Sequence, residues 1–312
     1  MSRLSMKHLR YFDALARHGH FGRAAEDCAV TQPALSVQVK ELEQLIGATL
    51  VERGARQTQL TGLGQEFAAR ASQILQAVDE LEDLARASQG PLSGRLRLGV
   101  IPTVAPYLLP QVIRCLSRAY PGLDLRPREA VTQKLIGDLL DANLDTAIVA
   151  LPISEPSLVE VPLFDEEFVL VRPVSDAGNP VPRPEMLQEM RLLLLEEGHC
   201  FRDQALSFCN IPATAPRELM QGSSLTTLVQ MVAAGIGVTL IPEMAAPVEV
   251  RSASVSLARL PRPRPTRSVG MVWRKTNPLS DQLSAIAAEL AAVDRPRARF
   301  SSARRLARGR VA

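Results

Sequence analysis

The sequence predicts an α/β chain built as a small helical head, one long helix and a larger open α/β body of two lobes. Three observations predict it. Apolar residues fall at helical spacing in three short runs before residue 46, then at intervals of four, three, four, three and four along a single run from Phe67 to Ala85. Beyond Arg95 the pattern changes to short apolar runs alternating with helical ones, which is how a sheet covered by helices reads.

Length and composition set the frame. At 312 residues and 34.0 kDa the chain accommodates two domains, and 46% apolar residues can fill a sizeable core. Glycine or proline breaks each long apolar run, as Gly235 and Gly237 do within Val232 to Ile241, so none reaches the roughly 20 residues that span a bilayer. No membrane association is expected. The formal charge of +3 hides an asymmetry: Arg295, Arg297, Arg299, Arg304, Arg305, Arg308 and Arg310 supply +7 and leave 3 − 7 = −4 for the rest. Bulk charge therefore gives no argument for nucleic acid. The basic tail, residues 301–312, reads as a disordered, solvated end in preference to a phosphate-binding arm.

Leu9, Phe12 and Leu15 share the face of a first helix, which the Gly19 region interrupts. Phe21, Ala24, Ala25 and Cys28 give a second short helix an apolar side whose small residues let another helix cross closely. Thr31 then reads as an N-cap with Pro33 in the first turn, and Leu35, Val39 and Leu42 line the buried face of a third helix. This is a helix-turn-helix, whose second helix enters the major groove of DNA. Thr31, Gln32, Pro33, Ser36, Gln38 and Lys40 lie off the apolar stripe and combine base-reading side chains with a cation for phosphate. The competing reading is an ordinary solvated helix face. Leu50 to Arg53 and Gln57 to Leu60, two extended runs around Gly54, form a wing whose Arg53 and Arg56 are placed to touch phosphates. Residues 1–60 are thus a winged helix-turn-helix DNA-binding domain.

Thr61 caps a long helix running to about Ala87, and the narrow stripe of Phe67, Ala71, Ile74, Val78, Leu81 and Ala85 has the spacing of a two-stranded coiled-coil seam. Residues 61–88 are read as a dimerising linker and 89–94, rich in glycine, proline and serine, as a hinge. The body, residues 95–300, shows strands at Arg95 to Ile101, Leu123 to Glu129, Thr146 to Leu151, Glu167 to Arg172, Leu192 to Leu195, Val238 to Ile241 and Ser268 to Trp273. Helices alternate with them, among them Leu108 to Tyr120, Thr132 to Leu140, Leu225 to Ala234 and Ser280 to Val293, which implies a mostly parallel sheet. Ligands bind beyond the carboxyl ends of strands in such sheets, where Thr103 stands and where Thr132 faces the same space as a helix cap. Both are equally ordinary turn threonines.

Glu196 to Cys209 carries the chemistry-bearing cluster. A thiolate is the reactive form of cysteine, favoured by nearby positive potential and by a helix N-terminus. His199 adjoins Cys200, Arg202 can fold back over its sulfur, and Gly198 lets a helix start just before it. Cys209 lies nine residues on, about 13.5 Å along an unbroken helix, whereas a disulfide needs Cα atoms within about 7 Å. If the segment is helical when reduced, oxidation must unwind it. Competing readings are inert core cysteines, zinc held by His199, Cys200 and Cys209, which lacks a fourth ligand and short spacing, and a permanent disulfide. The last conflicts with an N-terminus that shows no signal peptide and a cytoplasmic setting.

Residues 6 to 61, with Thr31-Gln32-Pro33-Ala34-Leu35-Ser36 and Glu41-Leu42-Glu43, resemble the winged helix-turn-helix of the LysR-type transcriptional regulators, and the layout to about 295 is similar to theirs. Gly198 to Ala205 with Cys209, Gly99 to Leu109 and Val161 to Glu166 resemble the peroxide-sensing branch of that family. The resemblance implies a regulatory domain of periplasmic-binding-protein type, with lobe I at 95–165 and 268–300 and lobe II at 166–267. It implies a homotetramer, a dimer of dimers, that binds double-stranded promoter DNA and RNA polymerase and activates antioxidant genes. Cys200 matches the peroxidatic position and Cys209 the resolving one, so that hydrogen peroxide links them and a thiol reductant such as glutaredoxin or thioredoxin resets them. Thr103, Thr132, His199, Arg202 and Asp203 match positions that bind peroxide or support the thiol there. No cofactor or metal is expected and no turnover: the chain is not an enzyme. Two alternatives are a regulator of the same family responding to a small organic effector in the interlobe cleft, and a thiol peroxidase.

Overall fold

In the computed structural model, residues 4–53, 58–87, 93–187, 189–209, 211, 220–251 and 253–293 are described. The chain divides after Ser88 into two compact units.

The first unit is built from the caps inward. Helix α1 (Met6–His18) starts at Ser5, whose hydroxyl accepts from the His8 amide, and stops at Gly19, whose φ of 60° suits glycine. Helix α2 (Phe21–Asp27) is capped by His20, whose ring Nδ1 accepts from the Gly22 amide at 3.0 Å. Helix α3 (Gln32–Ile46) follows Thr31, whose Oγ1 accepts from the Ala34 amide. Phe12, Leu15, Leu35, Leu42 and Leu50 are fully buried together. Glu43 Oε1 accepts from the amides of Leu50 and Val51 at 2.9 and 3.1 Å, fixing where strand β1 (Val51–Arg53) leaves α3. It pairs antiparallel with β2 (Thr58–Leu60).

Helix α4 (Gly62–Ala87) is capped by Thr61 Oγ1, which accepts from the Gly64 amide at 2.9 Å. Its apolar stripe divides. Phe67 packs edge-on against Phe12 with centroids 5.4 Å apart and Ala71 is buried, so the first turns serve the unit's own core. Ile74 and Leu81 are 45% and 65% exposed, so the stripe that is open to a second chain begins later than the sequence predicts.

The second unit contains β3 (Gly94–Val100), α5 (Ala105–Ala119), β4 (Leu123–Glu129), α6 (Thr132–Leu140), β5 (Thr146–Leu151), β6 (Leu158–Pro173) and β7 (Leu192–Leu195). After these come α7 (Cys200–Phe208), β8 (Gln221–Gly222), α8 (Leu225–Ala233), β9 (Val238–Pro242), α9 (Ala246–Glu249), β10 (Val255–Arg259), β11 (Thr266–Arg274) and α10 (Ser280–Ala291). The strands run in the order β4-β3-β5-β11-β6-β9-β7-β8, with β10 also on β6. The expectation of a mostly parallel sheet is corrected. The β3/β4, β3/β5, β7/β8 and β7/β9 pairs are parallel, while β6 and β11 pair antiparallel with each other and with their other neighbours. Both strands are long enough to pass from one lobe into the other. The expected lobe boundaries at 165/166 and 267/268 fall inside β6 and β11, which pair antiparallel with each other with a register shift between Val269 and Gly270.

Candidate functional site

In the first unit, α3 buries Leu35, Val39 and Leu42 and turns its other side outward. Thr31, Gln32, Pro33 and Lys40 are exposed there, and Ser36 and Gln38 are half-buried at the edges. Gln38 Nε2 donates to Glu41 Oε2 at 2.9 Å. The helix thus presents two hydrogen-bonding residues, a proline and a cation at its N-terminal half, the part that meets base edges in a major groove. The Arg53 side chain and the whole of Arg56 lie outside the described residues.

In the second unit, strand β7 delivers the chain to Gly198, whose φ of +94° is a left-handed turn that a Cβ would strain. A Cβ there would sit 4.0 Å from Val131 Cγ2, so this turn lies against the start of α6. Cys200 is the first residue of α7 and half-buried, and Cys209 is its C-cap and fully buried. Neither is in a disulfide. The segment is helical when reduced, and a helix of this length holds the two sulfurs about 13.5 Å apart along its axis. It must unwind before they can bond.

His199 precedes the helix without capping it by a side-chain bond. Burial pushes its pKa down, opposed by the carboxylates of Glu196 and Glu129, so the neutral ring is favoured at pH 7. Arg202 does not fold back as its position in the sequence allows. It is buried, and its Nη1 donates to the Leu195 carbonyl at 3.0 Å, tying the first turn of α7 to the end of β7. Asp203 is exposed in the same first turn, where a carboxylate complements the helix N-terminus.

Thr132 is the first residue of α6 and Val131 is the cap, one position from the expected arrangement. Because it does not cap, Thr132 Oγ1 is left buried without a protein partner. Gln204, one turn beyond Cys200 and hence on the same side of α7, has its Oε1 in the same condition. A buried polar atom without a partner costs about 1–3 kcal/mol, which a small molecule able both to donate and to accept would relieve.

Thr103 leads to residues that the sequence reading missed. Its Oγ1 accepts from Arg267 Nη1 at 2.8 Å and its carbonyl from Nη2 at 3.1 Å. Arg267, with a fully buried side chain, also donates from Nε to Glu166 Oε1 at 2.7 Å. Its guanidinium lies 5.4 Å from the ring centroid of Phe201, the neighbour of Cys200, and Phe201 in turn packs on Phe168 with centroids 4.7 Å apart. Beside this network Tyr107 donates to Glu249 Oε1 at 2.6 Å, and burial together with that carboxylate drives the phenol pKa far upward. An arginine between Thr266 and Ser268 at the start of a strand reads as a solvent-facing charge, and only its buried carboxylate partner, distant in sequence, shows otherwise.

Comparison with known proteins follows this geometry. Residues 6–65 match the bacterial regulatory helix-turn-helix of the lysR family, and residues 89–295 match the LysR substrate binding domain. A probable hydrogen peroxide-inducible genes activator of Streptomyces viridosporus is 45% identical over 275 residues, covering 86% of this chain and 88% of that one. Full-length OxyR from Pseudomonas aeruginosa, solved as a point variant, superposes with a TM-score of 0.71 at 34% identity, covering 97% of this chain and all of that one. A hydrogen peroxide-bound OxyR mutant from Corynebacterium glutamicum gives 0.63 at 33% identity, with 93% and 92% covered.

Proposed function

The chain belongs to the LysR family of transcriptional regulators, DNA-binding proteins and not enzymes, and from that premise we propose that it is a hydrogen-peroxide-sensing activator of antioxidant genes. The observation that carries the reading is α7 itself, with a half-buried thiol at its first residue and a fully buried one at its far end.

In the proposed mechanism the Cys200 thiolate attacks one peroxide oxygen, the O–O bond breaks, and hydroxide leaves and takes a proton. Cys200 becomes a sulfenic acid, oxidised by two electrons. The Cys209 thiol then attacks that sulfur and water departs. Two thiols have become one disulfide and peroxide two waters. Thr132 Oγ1 and the neutral His199 supply a hydroxyl and a ring nitrogen near the reacting atoms, while Arg202 and Asp203 support the first turn of α7. Thr103 acts through Arg267, which holds Phe201 beside Cys200. Closing the disulfide unwinds α7, repacks the lobes and changes how α3 meets promoter DNA, through Thr31, Gln32, Pro33, Ser36, Gln38 and Lys40 with Arg53 and Arg56 of the wing. The proposal includes a homotetramer built as a dimer of dimers, contact with RNA polymerase, cytoplasmic operation, and resetting by a dithiol reductant such as glutaredoxin or thioredoxin.

The alternative, a regulator of the same family that responds to a small organic effector in the interlobe cleft, is separated from a redox sensor by calorimetry with candidate ligands. The test is stoichiometric peroxide followed by peptide mass mapping and DNA footprinting. The expected result is a Cys200-to-Cys209 link, a changed footprint, and neither in a Cys200→Ser variant. A normal footprint response from that variant refutes the proposal.

A further inference from the structure

One residue of α3 fits neither its core nor a polar DNA-reading surface. Val37 is 61% exposed. At 3.6 residues per turn, Leu35, Val39 and Leu42 span about 60° of the helix circumference, and Val37 points within about 20° of the opposite direction. It is therefore the most outward residue of the helix's N-terminal half, flanked one turn away by exposed Pro33 and exposed Lys40. Of the polar residues with base-reading capacity, Thr31 and Gln32 are exposed where the helix starts, Ser36 and Gln38 sit at the edges, and Gln38 already donates to Glu41.

A helix that places a branched apolar side chain at the centre of its groove-facing side meets one apolar feature there: the 5-methyl group of thymine, the only such group that the major groove displays. The proline ring one turn earlier extends the apolar surface, and Lys40 one turn later is positioned for the adjoining phosphate. We propose that Val37, supported by Pro33, is a specificity-determining residue that selects thymine at one position of each half-site by contact with its methyl group. The inference rests on α3 lying in the major groove, and it adds a named base to that reading.

The experiment separates the two. Full-length reduced protein is used to select duplexes from random-sequence DNA, and each thymine of a selected duplex is then replaced singly by deoxyuridine, which pairs identically but lacks the methyl. Wild-type protein should lose about fourfold in affinity at one thymine per half-site, the equivalent of roughly one buried methyl group. Val37→Ala removes the contact from both half-sites that a dimer reads, so it should lose about sixteenfold on the thymine duplex and nothing further on the deoxyuridine one. Circular dichroism should show the variant folded, since most of the side chain lies outside the core. Lys40→Ala should weaken both duplexes equally and flatten the salt dependence by about one counterion per DNA-bound subunit. A selected duplex with no methyl-sensitive thymine, or a Val37→Ala protein as methyl-sensitive as wild type, overturns the assignment while leaving groove binding intact. Failure to select any duplex overturns the groove placement, and the assignment with it.

Discussion

Removing the Arg267 guanidinium while keeping its bulk, as Arg267→Met, strands Glu166, a carboxylate 7% exposed that otherwise shares only the Met244 amide at 3.3 Å. Breaking a buried pair from one side costs about 3–5 kcal/mol, because the remaining charge has neither water nor partner. Neutralising both ends, as Arg267→Met with Glu166→Gln, removes that penalty and should return at least about 2 kcal/mol. The chain supplies its own reporter: its one tryptophan, Trp273, is fully buried in β11, so fluorescence during urea unfolding follows this unit and not the DNA-binding one. The single variant should shift the fluorescence midpoint down by about 1–2 M urea, with the double variant between it and wild type. A single variant costing under about 1 kcal/mol, or a double variant as unstable as the two singles summed, would show that the pair is not the buried hub of this region.

His199 has its pKa lowered by burial, so the unfolded chain binds its proton more tightly than the native one. Stability is full above the ordinary histidine pKa of about 6.5 and falls as pH drops from there toward the lower native value. His199→Gln should remove that part of the decline, read as the pH dependence of the Trp273 midpoint. Tyr107→Phe deletes the buried 2.6 Å bond to Glu249 and should cost about 1–3 kcal/mol in the same assay, partly recovered by adding Glu249→Gln. Gly64→Ala would drive a Cβ into the Leu50 carbonyl where α4 crosses the head. It should destabilise the first unit by about 1–3 kcal/mol and weaken DNA binding while leaving Trp273 unfolding unchanged.

Much of the head was legible because its signals are local. Thr31, Pro33 and Thr61 announce helix starts, and the three-and-four spacing of Leu35, Val39 and Leu42 names the buried face. Other features depend on partners far along the chain. The seam from Phe67 is regular in sequence, but only the presence of Phe12 shows that its first turns are already occupied. Strand β6 begins near Leu158, yet Pro162 and the acidic residues at 165–167 break its alternation, so only its apolar second half stands out. Its antiparallel partner β11 is about a hundred residues away, and pairing direction leaves no mark in either segment. The cysteine pair, His199 and Thr103 were visible as residue types in suggestive places, whereas Arg267, Tyr107 and Glu249 acquire meaning only from burial. Val37 was passed over for the opposite reason: it lies across the helix from the apolar stripe, and a lone apolar residue among polar ones gives no signal until its exposure is known.

The two ends of α7 are held in different ways. At the start, Phe201 packs against Phe168 and the Arg267 guanidinium, and Arg202 is tethered to Leu195, so two consecutive side chains moor the turn that carries Cys200. At the finish, Cys209 is the fully buried C-cap. In the proposed switch, a fully buried Cys209 drawn from its place leaves a vacancy in the interior that the neighbouring apolar side chains refill only in part. Such a cavity raises the free energy of the linked form and gives a reductant a natural ally: returning to the thiol state restores the packing that oxidation removed.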